Sequence, residues 1–279
     1  MALFRAIETE RPRDKRLFND PFAIQFLDAG LKLVTKLSSL PIIGHLIPKL
    51  IHEKGPGAIS SGIARTKYID DLLRRTVSEG VKQVIILGAG FDTRALRLYF
   101  LKSTAVIEID HPDTAKFKLE KLKSSIRTPP QNVFYYQVDF NKQSLDEIAV
   151  VCNINFDLPT TIIWEGVTNY LTPAAIDATF QFTKRFNHNI HLIFTYIDKQ
   201  VLDHPENFIG TEKLFKNLQD NDEQWIFGFM PNELSNYLKQ FELTLLEDLN
   251  ATDYRNKYMP ERTDIAVGYE FYRVAFAKR

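Results

Sequence analysis

One cysteine, Cys152, stands in a chain of 279 residues, so no internal disulfide can form and nothing points to an oxidising compartment. An excess of either charge is also missing. Lys plus Arg number 35 and so do Asp plus Glu, which leaves no long-range field to attract nucleic acid or an anionic membrane. Long apolar runs are absent too. The nearest approach, Leu31 to Ile51, is broken by Lys32, Lys36, Pro41, His45, Pro48 and Lys49, which excludes a transmembrane span. That stretch reads instead as a lid over a binding pocket, an amphipathic surface anchor being the other reading. The N-terminal MALFRAIETERPRDKR is too charged for a signal peptide, so the cytoplasm is the expected compartment. The histidines and the cysteine lack ligand spacing, so no metal centre is expected. Neither an internal repeat nor a low-complexity tract is present.

What is there centres on QVIILGAGFDTRALRL, Gln83 to Leu98. Val84 to Leu87 form a short apolar, β-branched run suited to a strand buried on both faces of a parallel sheet. Gly88-Ala89-Gly90 ends it, and Asp92 can cap a following helix that carries Ala95, Leu96 and Leu98. Strand, glycine turn and helix together make the first unit of a doubly wound sheet, where a nucleotide-like ligand approaches the backbone. A dinucleotide fingerprint needs a third glycine three residues after the second, and Thr93 stands there, which counts against a pyrophosphate-binding turn. Glu108 and Asp110 lie about 20 residues beyond the glycines, the distance of a ribose-binding acid.

Around this unit the chain alternates short apolar runs with helical patterns, which implies an α/β fold with a mostly parallel sheet. Strands are expected at Ala105 to Ile109, Val133 to Val138, Thr161 to Trp164, Ile190 to Ile197, Leu243 to Leu246 and Tyr269 to Ala277. Helices are expected at Lys15 to Leu27, Ala64 to Val77, His111 to Ile126, Pro173 to Phe186, Pro205 to Gln219 and Pro231 to Phe241. Pro129-Pro130 should prevent continuation past Ile126. GPGAISSG, Gly55 to Gly62, reads as a hinge. Residues 1–78 would form a helical cap and lid on a sheet domain of residues 79–279, with a cap insertion around 199–230. Asp110, Asp139 and Glu165 each end a strand beside the glycine turn, on the edge where such sheets bind ligands.

At these residues the chain resembles the class I S-adenosylmethionine-dependent methyltransferases, and within them the leucine carboxyl methyltransferase-like family with its bacterial O-methyltransferase branch. RLFNDPFA at Arg16 to Ala23, ARTKYIDD at Ala64 to Asp71, LGAGFDTRALRL at Leu87 to Leu98, VIEIDHP at Val106 to Pro112 and WEGVTNYLTP at Trp164 to Pro173 carry the resemblance, with WIFGFMPNEL at Trp225 to Leu234 as a fainter echo. It implies a Rossmann-like class I methyltransferase sheet with an antiparallel C-terminal strand, and S-adenosyl-L-methionine as cofactor. Arg65 would then pair with the methionine carboxylate, a bidentate contact that Lys reproduces poorly. Gly88 and Gly90 would let the backbone pass under the cofactor. Asp110 matches the acid on the ribose hydroxyls, with Glu108 the other choice. Asp139 matches the acid near the adenine amino group, beside a family leucine that is Phe140 here, and Glu165 the acid near the methionine moiety. Lys15 is a looser match to a cofactor-contacting lysine.

Methyl transfer from a sulfonium demands chiefly alignment. A carboxylate acceptor needs no base, whereas a hydroxyl acceptor does. His111, His188, His191 and His204 fit surface or strand-end positions better than that role, which favours an acidic acceptor. Tyr170 and Tyr196 are the candidates for the acceptor pocket, which is expected to draw on Leu31 to Ile51 and Asp198 to Met230. A small-molecule acceptor is expected. The rival readings are carboxyl methylation of a protein C-terminus, an NAD-dependent oxidoreductase and a cofactor-binding module without turnover.

Overall fold

The computed structural model describes residues 1–40, 43–126, 128, 130–139, 143–187, 189–262 and 265–279. Pro41, Pro129, Phe140 and His188, named above, lie outside them. The chain opens with α1 (Ala2–Glu10), α2 (Ala29–Leu37), α3 (Ile43–Lys54) and the long α4 (Ala58–Ser78). It then alternates β1 (Gln83–Leu87), α5 (Arg94–Arg97), β2 (Ala105–Asp110), α6 (Pro112–Leu122), β3 (Val133–Gln137), α7 (Leu145–Val151), β4 (Thr160–Trp164), α8 (Pro173–Thr183) and β5 (Ile190–Ile197). The remainder is α9 (Gln200–Asp203), α10 (Thr211–Asp220), α11 (Pro231–Lys239), β6 (Thr244–Asn250), α12 (Ala251–Tyr258) and β7 (Tyr272–Lys278).

Among the described residues, seven strands form one sheet in the order β3-β2-β1-β4-β5-β7-β6. Its first five strands are parallel, and β7 runs antiparallel to both β5 and β6. The mostly parallel sheet with an antiparallel C-terminal strand is therefore present. Burial on both faces follows from the two-residue period of a strand. Ile85 and Leu87 of β1 join Ile148, Ile176, Phe180, Leu234 and Leu238 in one core. Val84 and Ile86 join Ile69, Leu72, Leu73 and Tyr254 in the other.

The cap differs from the sequence expectation. Lys15 to Leu27 is not a helix; it contains one 3-10 turn, Ala23–Phe26, because Asp20 turns the chain by accepting from the backbone N–H groups of Phe22 and Ala23. The helix lies earlier, at α1. Gly55 to Gly62 is not a hinge throughout, since α4 begins at Ala58 and its first turn is buried. Ser61 Oγ lies 2.8 Å from the Tyr254 hydroxyl and Ser60 donates to the Ile265 carbonyl, so tertiary partners hold helical what looks like loop composition. The described residues of Leu31 to Ile51 do fold as short pieces, in α2 and α3. Ile43, Ile47 and Ile51 pack toward α4, and Pro48 is carried within α3. Pro205 to Gln219 likewise splits into a 3-10 turn at Pro205–Asn207 and α10. Around 199–230, Val201, Leu218 and Trp225 pack on Phe271 and Tyr272 beyond the end of β5. No helix among the described residues is long and apolar enough to cross a membrane.

Candidate functional site

The strands β1 and β4 end side by side, and the loops after them enclose a cavity of about 230 Å³. Gly88, Ala89, Asp92, Thr93, Arg94 and Glu165 line it from the sheet side. Arg65 reaches it from α4, and Met1, Ala2 and Arg5 of the first helical turn close it from above. Gly88 has φ +64°, and a Cβ there would lie 2.5 Å from Val167 Cγ2, so the turn after β1 requires glycine for conformation and for space. Gly90, at φ +46°, donates its N–H to Asp110 Oδ2, and the His111 N–H donates to Asp110 Oδ1 at 2.6 Å. The aspartate at the end of β2 is thus tied to the glycine turn at the end of β1.

The floor of the cavity is charged and buried. Arg65 Nε donates to Glu165 Oε1 at 3.0 Å, and Arg94 Nη1 donates to Glu165 Oε2 at 2.9 Å. Arg94 Nε donates to Asp70 Oδ1 at 2.8 Å, and Arg97 gives both its Nη groups to Asp70 at 2.6 and 2.8 Å. Arg5 Nε meets Asp20 Oδ2 at 2.8 Å, where the Thr93 hydroxyl also donates. Four arginines, Arg5, Arg65, Arg94 and Arg97, are matched by four carboxylates, Asp20, Asp70, Asp92 and Glu165. Such a cluster is tolerable out of water only when each charge is paired and hydrogen-bonded. Burial favours the neutral acid at Glu165, but Arg94 and Arg65 outweigh it and hold the carboxyl below its ordinary value. Asp92 is likewise pulled down to about 2, its burial overcome by Arg94. Burial also opposes the charge on Arg65, and Tyr272 and Glu165 overcome it, keeping the guanidinium firmly protonated. The guanidinium carbon of Arg65 sits 4.3 Å from the centre of the Tyr272 ring, a cation–π contact that fixes its plane.

The family model described as leucine carboxyl methyltransferase matches residues 1–184. The chain belongs to the leucine carboxyl methyltransferase family. A provisionally named S-adenosyl-L-methionine-dependent methyltransferase of Mycolicibacterium gilvum is 33% identical over 183 residues, 64% of this chain and 58% of that protein. One of the same name from Mycobacterium marinum is 35% identical over 191 residues, 64% of this chain and 57% of its own length. The matched part thus spans a little under three fifths of these relatives. The crystal structure of a provisionally named methyltransferase from Thermobifida fusca superposes with a TM-score of 0.59 at 15% identity, covering 98% of this chain and 97% of that one. The shared fold is the Rossmann-like sheet of class I methyltransferases.

Of the residues singled out in the sequence of this leucine carboxyl methyltransferase family member, Arg65, Gly88 and Glu165 line the cavity. Gly90 and Asp110 stand beside it, joined to each other. Asp139 follows β3 one strand further along the same edge, next to Val138, whose N–H donates to the Asp110 carbonyl at 2.8 Å. Phe140 lies outside the described residues. Glu108 faces inward instead, paired with Lys118 at 2.5 Å. Lys15 is not among the lining residues, and its carbonyl accepts from Arg262. Tyr170 follows β4 and donates its hydroxyl to Glu223 at 2.8 Å. Tyr196 is not brought to the cavity: it is fully buried, and its hydroxyl is taken by Asp248 and Arg273. None of the described residues of Leu31 to Ile51 lines the cavity either; the first turn of α1 does so. Asp92 is not the cap that the sequence suggested: Thr93 holds the N-cap position of the four-residue α5, and Asp92, one residue earlier, accepts from the Arg94 N–H at 2.7 Å in a side-chain turn. Sequence reasoning missed Arg5, Asp70, Arg94, Arg97 and Tyr272. The signal for two of them was present: Arg94 and Arg97 are spaced i, i+3 just after the glycine turn, so they share a helix face. Among the described residues, no group of three His, Cys, Asp or Glu could hold a metal ion.

Proposed function

We propose that this protein is an S-adenosyl-L-methionine-dependent O-methyltransferase acting on a carboxylate of a small molecule. The observation that carries this reading is the Arg65–Glu165 pair facing the glycine turn at the carboxyl edge of the sheet, with Asp110 tied to that turn. The donor set fits the cofactor. Arg65 offers its outer nitrogens to a carboxylate, Glu165 offers negative charge to an ammonium, and Asp110 accepts from ribose hydroxyls. Asp139, further along the same edge, would take the adenine amino group. A cavity of about 230 Å³ is smaller than the ~300 Å³ at the lower end of ligand sites. Met1 Sδ, which meets Arg65 Nη2 at 3.2 Å, would give way there to the ligand carboxylate.

The bound cofactor would supply an already activated methyl group, so the chain's own task is alignment and exclusion of water. No histidine, lysine or tyrosine lines this cavity among the described residues, and on the acceptor side the Tyr170 hydroxyl donates to Glu223 at 2.8 Å. That favours an acceptor ionised at neutral pH, which needs no proton removed. The acceptor side is assigned to the segment after β4 and to the 199–230 region, where Tyr170 meets Glu223 and a second cavity is lined by Leu202, Phe215 and Trp225.

The test is incubation with methyl-tritiated S-adenosyl-L-methionine and acidic fractions of a cell extract, followed by mild base. Label released as volatile methanol is the expected result and marks a methyl ester. Base-stable label would move the acceptor to a hydroxyl or amine. Binding without transfer to any fraction would reduce the protein to a cofactor-binding module.

A further inference from the structure

We propose that Arg94 is a positioning residue of the cofactor site, acting through Glu165. The inference rests on reading the cavity as an S-adenosyl-L-methionine site. Arg94 opens α5, and its side chain is only 4% exposed. It bridges carboxylates from three separate segments: Asp70 of α4, Asp92 of the glycine turn and Glu165 after β4. These are the segments that build the cavity wall. Asp70 is itself locked by two donors from Arg97, so the far side of Arg94 cannot swing.

Each oxygen of Glu165 is held by a different arginine, Oε1 by Arg65 and Oε2 by Arg94. Two donors from different directions fix the plane of a carboxylate, and one does not. Arg65 depends on that plane. Its Nε edge is spent on Glu165 and its face on Tyr272, so a ligand carboxylate would take the outer nitrogens, one of which meets Met1 Sδ. Removing Arg94 frees Glu165 to rotate and so releases the edge that orients Arg65. A guanidinium suits this position because it spans three acids in one plane, which a lysine ammonium does not. Stability alone is a poor explanation, since buried ion clusters seldom out-stabilise apolar packing of the same volume.

The experiment is a double-mutant cycle on the affinity for S-adenosylhomocysteine, read by calorimetry with Arg94→Gln, Glu165→Gln and the double variant. Each single change is expected to weaken binding about tenfold, and the double variant to bind no worse than Glu165→Gln alone, because both act through one contact. Arg94→Lys keeps the charge without the bridge and is expected to fall between the wild type and Arg94→Gln. It takes over the cycle if Arg94→Gln shows no cooperative melt. Losses that multiply in the double variant, or wild-type affinity in Arg94→Gln or Arg94→Lys, would overturn the proposal. A wild-type protein that fails to bind S-adenosylhomocysteine at all would overturn the cofactor reading with it.

Discussion

Glu108 and Asp110 stand two residues apart on β2 and so share a face of the sheet, yet their surroundings give them opposite roles. Asp110 sits at the end of the strand and accepts from the backbone of Gly90 and His111. Asp110→Ala is therefore expected to weaken cofactor binding by about 1–3 kcal/mol by removing an acceptor for ribose hydroxyls, and to loosen the glycine turn as well. Titration calorimetry and thermal melting of the same variant separate the two effects. Glu108 is buried with Lys118, and burial, only partly offset by Lys118, pushes its carboxyl up to about 7. The folded state then holds a proton that the unfolded chain gives up near the ordinary carboxylate value. The contribution of Glu108 to stability is full below that ordinary value and declines as pH rises through about 7. Urea unfolding of the wild type and Glu108→Gln over this range should show the difference between them shifting against the wild type as pH rises; a constant difference would contradict the burial argument. At Gly88, alanine would strain a left-handed backbone and press on Val167. A loss of about 1–3 kcal/mol in stability, seen as a lower melting temperature, is expected.

At the scale of elements, the start of α1 lies against the cavity where Leu31 to Ile51 was expected to lie, and we propose that it acts as the cover. Met1, Ala2 and Arg5 line the cavity, while α3 turns Ile43, Ile47 and Ile51 toward α4. Amide exchange in Ala2–Glu10 should change markedly when S-adenosylhomocysteine is added, and exchange in Ile43–Lys54 should change little. The reverse pattern, read by mass spectrometry, would return the cover to α2 and α3. This reversal shows what sequence can carry. The unit of β1, glycine turn and β2 was legible because buried parallel strands are β-branched runs and glycine marks where the chain must turn under a ligand. The gathering of Arg65, Asp110 and Glu165 at the glycine turn was legible from their motifs. The start of α4 was not, because Gly57, Ser60 and Ser61 have loop composition, and Tyr254 and Ile265, some 200 positions later, help to hold that turn in place. Tyr272 was hidden for the same reason: nothing local in β7 says that its ring lies under Arg65. Nor did anything local say that the Tyr196 hydroxyl turns to Asp248 and Arg273.

On the scale of the whole molecule, the family match ends at residue 184, but the sheet does not. β4 pairs with β5, and β5 with β7, so the strands that carry the glycine turn and Glu165 depend on partners beyond the matched region. Both cores also draw on that region, through Leu234 and Leu238 on one face and Tyr254 and Phe276 on the other. A chain ended at residue 184 is expected to show no cooperative thermal transition by circular dichroism, despite containing every residue that lines the first cavity. A cooperative melt of that fragment would mean that the N-terminal part is an independent domain.

The central claim is that the edge formed by Gly88, Asp110, Arg65 and Glu165 holds S-adenosyl-L-methionine. It is met most directly by paired calorimetric titrations of the intact protein with that cofactor and with NAD. Saturable micromolar binding of S-adenosyl-L-methionine, strongly weakened in Asp110→Ala, is expected, with no heat from NAD, for which Thr93 stands where a third glycine is needed. Saturable binding of NAD with none of S-adenosyl-L-methionine would contradict it.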